Sequence, residues 1–169
     1  VIAIVGIVVY IAWAFRKVSR PVSSWLYGNI AALVLFHDVI ITIGFFSFFG
    51  RYYNIEVNSP FIAALLTILG YSVNDTIVIF DRIRENLTRY YEGNLEKIID
   101  KSIHETYVRS FNTSFTVILC LLAILIFGGN TISDFALALI IGIAVGSYSS
   151  IFLASPLLLV AQRVTSKKK

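Results

Sequence analysis

Apolar and polar positions alternate along this chain in long blocks. Five apolar runs, at about residues 1–15, 25–49, 60–80, 107–127 and 132–160, are separated by connectors carrying charge, proline or glycine. A helix needs about 20 apolar residues to cross hydrocarbon, and four of the runs are that long. Only helices and closed barrels satisfy a backbone in hydrocarbon, and runs of this length are helical. The expected fold is an all-α integral membrane protein, a single transmembrane domain over residues 1–169 with five transmembrane helices. The first run is short and opens Val1-Ile2-Ala3 without a methionine, which predicts a fragment cut within its first helix. Punctuation fits the spans. Asn58-Ser59-Pro60 offers a cap followed by proline at the first helical position. Gly128-Gly129-Asn130 predicts a tight turn between the last two spans, and Pro156 is set to bend the last one.

Composition fixes the class. Hydrophobic residues make up 57% of the chain and charged residues 14%, with a mean hydropathy of +0.81, which excludes an ordinary soluble domain. Thirteen of the 14 lysines and arginines fall on one side of the predicted bundle: Arg16, Lys17 and Arg20, then Arg82, Arg84, Arg89, Lys97, Lys101 and Arg109, then Arg163 and Lys167 to Lys169. Only Arg51 falls on the other. The positive-inside rule therefore predicts a multi-pass membrane protein with these connectors and its C-terminus in the cytoplasm. Trp13 and Trp25 flank the first cytoplasmic turn at the level of an aromatic belt. The net charge of +4 reads as membrane orientation, with the lipid bilayer and not nucleic acid as partner. Cys120 is alone, so no disulfide framework or cysteine metal site is expected.

The connector 81–106 has its own pattern. Leu95, Ile98, Ile99 and Ile103 recur at helical spacing between Glu96, Lys97, Asp100 and Lys101, predicting an amphipathic helix lying on the membrane surface. A solvated linker helix is the alternative. Asp81, Arg82, Arg84 and Glu85 are expected to form a salt-bridging cluster where the third span leaves the membrane.

Candidate chemistry sits inside the spans. Asp75 is a carboxylate within an apolar run, where a charge costs about 2.5–3.5 kcal/mol on insertion scales. It must face protein or water, and a proton or ion pathway is the first reading, with a structural buried carboxylate as the other. Thr67, Tyr71, Ser72 and Arg82 share its helical face by spacing; Asn74 adjoins it. On the fourth span Arg109, Asn112, Thr113, Thr116 and Cys120 also fall on one face. Asp75 is the acid best placed to partner Arg109; burial and a guanidinium push a carboxyl in opposite directions, as a proton carrier requires. A static helix-locking pair, or an arginine snorkelling to head groups, are the alternatives. His37-Asp38 in the second span suggests a relay or gate, or a packing histidine. Ala138, Gly142, Gly146, Ser150 and Ala154 recur every four residues, a small-residue stripe for close helix packing. No metal-ligand cluster, nucleophile triad or phosphate-cradling loop stands out, so neither a cofactor nor an enzyme is expected.

Four segments together resemble the SecF family of Sec protein-export components, within the resistance-nodulation-division superfamily. They are Phe36-His-Asp-Val-Ile-Ile-Thr-Ile-Gly44, Gly70-Tyr-Ser-Val-Asn-Asp-Thr running on to Asp81-Arg-Ile-Arg-Glu-Asn86, Arg109-Ser-Phe-Asn-Thr-Ser114, and Phe127-Gly-Gly before the glycine-rich last span. The Ser-Val-Asn-Asp-Thr form is closer to SecF than to its partner SecD. The resemblance implies that the five spans are the second to sixth of six, with a first helix and a large extracytoplasmic domain missing. It implies proton movement through Asp75 and Arg109, and proton-motive-force-dependent help to polypeptides crossing the membrane. Implied partners are SecD, fused or separate, the Sec channel, and unfolded polypeptide held by the missing domain. A non-conducting scaffold that packs with SecD and a small-molecule or lipid exporter are the alternatives.

Overall fold

The computed structural model describes residues 24–53, 57, 59–90 and 95–166, with Gly6 and Val9 besides. Apart from Gly6 and Val9, the predicted first span lies outside the described residues, as do its Arg16–Arg20 connector and the terminal lysines. The described residues form α1 (Ser24–Tyr53), α2 (Ser59–Arg89), α3 (Leu95–Phe127) and α4 (Asn130–Ser149). A π-helical turn (Ser150–Ala154) then leads without a break into α5 (Ser155–Ser166). Four stretches are long and apolar enough to cross a membrane: Trp25–Tyr52, Ser59–Arg89, Leu95–Phe127 and Ile132–Arg163. No strand occurs among the described residues.

The helices extend well past the apolar runs. α2 continues to Arg89 and α3 begins at Leu95, so most of the 81–106 connector is helix. The stretch predicted to lie on the membrane surface is the first part of α3, continuous with the span that follows. Of its apolar residues, Ile98 and Ile99 are buried in one cluster with Ile83 and Leu87 of α2, and partly buried Leu95 and Ile103 pack against it. A neighbouring helix offered that face more apolar contact than an interface would, and the amphipathic pattern alone does not separate the two. Ion pairs secure this end. Arg82 meets Glu105 at 2.7 Å and Glu85 at 2.5 Å, Arg89 meets Glu85 at 3.2 Å, and Arg84 meets Asp81 at 3.7 Å. Buried Asn86 donates to Ser102 at 2.9 Å and Glu105 at 2.8 Å. Lys101 donates to the Tyr90 phenol at 2.7 Å and holds it below its usual range.

At the opposite end α3 turns sharply into α4. Gly128 approaches the Ile124 carbonyl so closely that a Cβ would stand 2.4 Å from its oxygen, so the turn needs glycine there. Gly129 caps α4 in extended backbone (φ −74°, ψ 162°).

Pro156 explains the π-helical turn. Proline lacks the N–H that α-helix demands and crowds the carbonyl four residues before it. Widening the preceding turn to π register removes that conflict.

Packing is led by α4. It contacts α1, α2 and α3, and Ala138, Gly142, Gly146, Ser150 and Ala154 are all buried. A Cβ on Gly142 would stand 2.2 Å from Ile68 Cδ1, and one on Gly146 would stand 3.1 Å from Ser72 Cβ. The stripe therefore brings α4 against α2 by close approach. Two apolar clusters result. One joins Tyr27, Val34, Phe80, Ile83, Ile99 and Leu158; the other joins Phe46, Phe61, Ile68, Leu121, Leu139 and Ile143.

Candidate functional site

Between the two apolar clusters, near the middle of each of the four crossing stretches, lies a layer of buried polar side chains. Asp38 and Thr42 of α1, Ser72, Asp75 and Thr76 of α2, Ser110 and Ser114 of α3, and Ser149 and Ser150 are all buried. Burial of so many polar groups is tolerable only with hydrogen bonds, and most have them.

Asp38 is the best-held group. It is wholly buried, and its Oδ2 accepts from Ser72 Oγ at 2.6 Å and Ser149 Oγ at 2.8 Å. Its Oδ1 lies 3.0 Å from Nδ1 of half-buried His37. One carboxylate thus ties α1 to α2 and α4. Around it, Thr76 and Ser150 share a hydrogen bond at 2.9 Å, Tyr71 donates to Ser114 at 3.2 Å, and Ser114 bonds Ser147.

Asp75 is the opposite case. It is buried (8% exposed), and the Ser110 and Ser150 hydroxyls face its carboxyl. Asp75 Oδ2 and Ser110 Oγ are nonetheless both buried without a partner, and the Ser150 hydroxyl bonds Thr76. A group so placed is either waiting for a partner or exchanging one.

Several predicted residues stand elsewhere. No ion pair joins Asp75 to Arg109. Arg109, Asn112, Thr113, Thr116 and Cys120 lie on the exposed face of α3, and Asn74 and Thr67 on exposed faces of α2. Thr67, Thr113 and Thr116 satisfy themselves by bonding the carbonyl four residues back, which lets a hydroxyl face lipid at low cost. Arg82, assigned by spacing to the Asp75 face, serves Glu105 and Glu85 instead. The face α3 buries is Ser102, Thr106, Ser110 and Ser114, small hydroxyls every four residues. That spacing was a readable signal: small side chains let helices approach, and an arginine or asparagine at the same depth does not. Ser149, absent from the sequence reading, carries no signal beyond lying beside Ser150.

No group of histidine, cysteine and acidic side chains suited to a metal occurs among the described residues. A polar layer of hydroxyls and carboxylates at the centre of apolar helices defines a multi-pass membrane protein with an intramembrane acid site. Residues 1–164 match the family of protein-export membrane proteins SecD/SecF, C-terminal part, and the chain belongs to it. It is 52% identical over 157 residues to the protein translocase subunit SecF of Thermobaculum terrenum, covering 93% of this chain and 49% of that one. It is 46% identical over 158 residues to the SecDF subunit of Brucella abortus, covering 94% and 19%. Among solved structures, SecDF in its super-membrane-facing form matches with a TM-score of 0.86 at 39% identity, covering 98% of this chain and 21% of that one. The chain thus spans about half the length of the SecF relative.

Proposed function

We propose that this chain is the membrane-spanning part of a SecF-type subunit that couples the proton-motive force to protein export. Asp75 takes up and releases the proton, and Arg109 is its charge partner in a rearranged state. The observation that carries this reading is the buried Asp75 oxygen with no partner in a layer where the neighbouring acid is fully bonded. A static structural carboxylate would be held as Asp38 is. His37 and Asp38 support the site, as do Ser72 and Ser150.

SecD is the proposed partner. The Brucella relative is a SecDF protein, and the solved neighbour is SecDF. The exposed α3 face with Arg109 and Asn112 suits such a companion, because neither side chain has a hydrogen-bond or ion-pair partner among the described residues. The Sec channel and an unfolded polypeptide complete the proposed assembly. The chain works as a transport subunit and not as an enzyme. Its basic connectors and C-terminus face the cytoplasm on the lysine and arginine count. A cysteine placed at Asn94 would then resist impermeant reagents in intact cells.

The decisive experiment is Asp75→Asn in the full-length subunit with SecD. Asparagine keeps the shape and loses the exchangeable proton. Loss of potential-driven export with normal complex yield is the expected result. Normal export by a well-assembled variant removes Asp75 from the pathway, and loss of assembly favours a scaffold instead.

A further inference from the structure

Tyrosines and Cys120 aside, the apolar middles of the crossing helices carry few ionisable side chains: His37 and Asp38 on α1, Asp75 on α2 and Arg109 on α3. From Phe135 to Gln162, α4, the π-helical turn and α5 bring none. What that last span brings to the polar layer is the dipeptide Ser149-Ser150. Consecutive helical residues point about 100° apart, so the two hydroxyls serve different groups. Ser149 Oγ donates to Asp38 Oδ2 at 2.8 Å. Ser150 Oγ bonds Thr76 Oγ1 at 2.9 Å and faces the Asp75 carboxyl. The dipeptide stands where α4 passes into π register, and π turns inside helices are frequent at functional sites.

We propose that Asp38 is a positioning residue for Asp75, acting through the Ser149-Ser150 step. By gripping Ser149, Asp38 fixes the rotation of the π-helical turn and keeps the Ser150 hydroxyl on Thr76. When that grip loosens, Ser150 turns to the open Asp75 oxygen and donates to it. Three features support this. The Asp38 oxygen that holds Ser149 has Ser72 as a second donor, so the anchor itself is firm. Buried Ser155, at the far end of the π-helical turn, has no hydrogen-bond partner on its Oγ, so its hydroxyl does not pin the turn from that side. The Asp75 Oδ2 atom is buried and unpartnered, so an arriving hydroxyl finds a free acceptor. The inference rests on the proton-carrying reading of Asp75 and adds to it a second acid and the element joining the two.

The test uses the full-length protein with its SecD partner in membranes. Dicyclohexylcarbodiimide reacts with protonated carboxyls, and its attachment to Asp75 is followed by mass spectrometry. Ser149→Ala removes the grip and alters no charge. It should slow Asp75 labelling at least about twofold, the low end of what one hydrogen bond supplies, because a hydroxyl donating to the carboxylate competes with the proton. Ser149→Thr keeps the hydroxyl and should restore the wild-type rate. Thr42→Val removes a buried hydroxyl that bonds only the Asp38 backbone carbonyl and touches neither the Asp38 carboxylate nor the π-helical turn, and should leave the rate within that twofold. If Ser149→Ala does not assemble, Ser149→Cys, similar in size with a weak donor, should show the same slowing. Unchanged labelling in the Ser149 variants, or an equal effect of Thr42→Val, overturns the coupling and leaves the Asp75 reading standing. A wild-type Asp75 that never reacts at any pH removes that reading, and the coupling with it.

Discussion

α3 and the α4–α5 span are near twins in hydropathy, 2.2 and 2.1 over their most apolar windows, yet 17% of one window is buried and 50% of the other. Hydropathy therefore says that a helix crosses the membrane and nothing about what it touches. The difference follows from side-chain size. α4 lines up glycine, alanine and serine against α2, while α3 turns Arg109, Phe111, Asn112, Phe115 and Thr116 outward. Half of the α4–α5 window is buried within this chain. The α3 window leaves most of its surface for lipid or for another subunit.

Substitutions test that contrast. Gly142→Leu should have the largest effect, since even its Cβ would collide with Ile68. Overpacking of this kind costs about 1–3 kcal/mol, and the upper end is expected as a lowered unfolding temperature in detergent. Asp38→Asn comes next. It weakens the acceptor for Ser72 and Ser149 and should cost about 1–3 kcal/mol, read in the same melt. Glu105→Gln loosens the tie among Arg82, Asn86 and α3 at a solvent-screened site, where an effect smaller than that of Asp38→Asn is expected. Protease nicking between α2 and α3 would report it. Thr116→Leu on the exposed face should change stability by less than about 0.5 kcal/mol while weakening capture of the proposed SecD partner. A Thr116→Leu melt shifted as far as that of Gly142→Leu would erase the distinction between the two spans.

Much of this architecture was written in the residue pattern. Block length located the four described crossings, and the spacing from Ala138 to Ala154 picked out the face that α4 buries. The α3 face was harder. Two stripes recur there with helical period, one led by Arg109 and the other running Ser102, Thr106, Ser110 and Ser114. Charge drew the eye to the first, because an unpaired guanidinium is expensive inside a membrane. Packing chose the second, because volume decides how near two helices come. The bonds of Asp38 were also illegible, since Ser72 and Ser149 lie 34 and 111 residues away from it and no local spacing links them. The π-helical turn had only Pro156 as its sign, and proline announces a disturbance without giving its form.

The unbroken course of α3 has a mechanical consequence. Its 33 residues make a rod about 50 Å long, while hydrocarbon is only about 30 Å deep. The surplus stands beyond the membrane at its basic end, bolted to α2 by Arg82, Glu105 and Asn86. A tilt of about 5° around the level of Ser110 would sweep each tip through about 2 Å. Such a beam carries a displacement at the central acid directly into the aqueous phase, with no intervening joint to absorb the stroke.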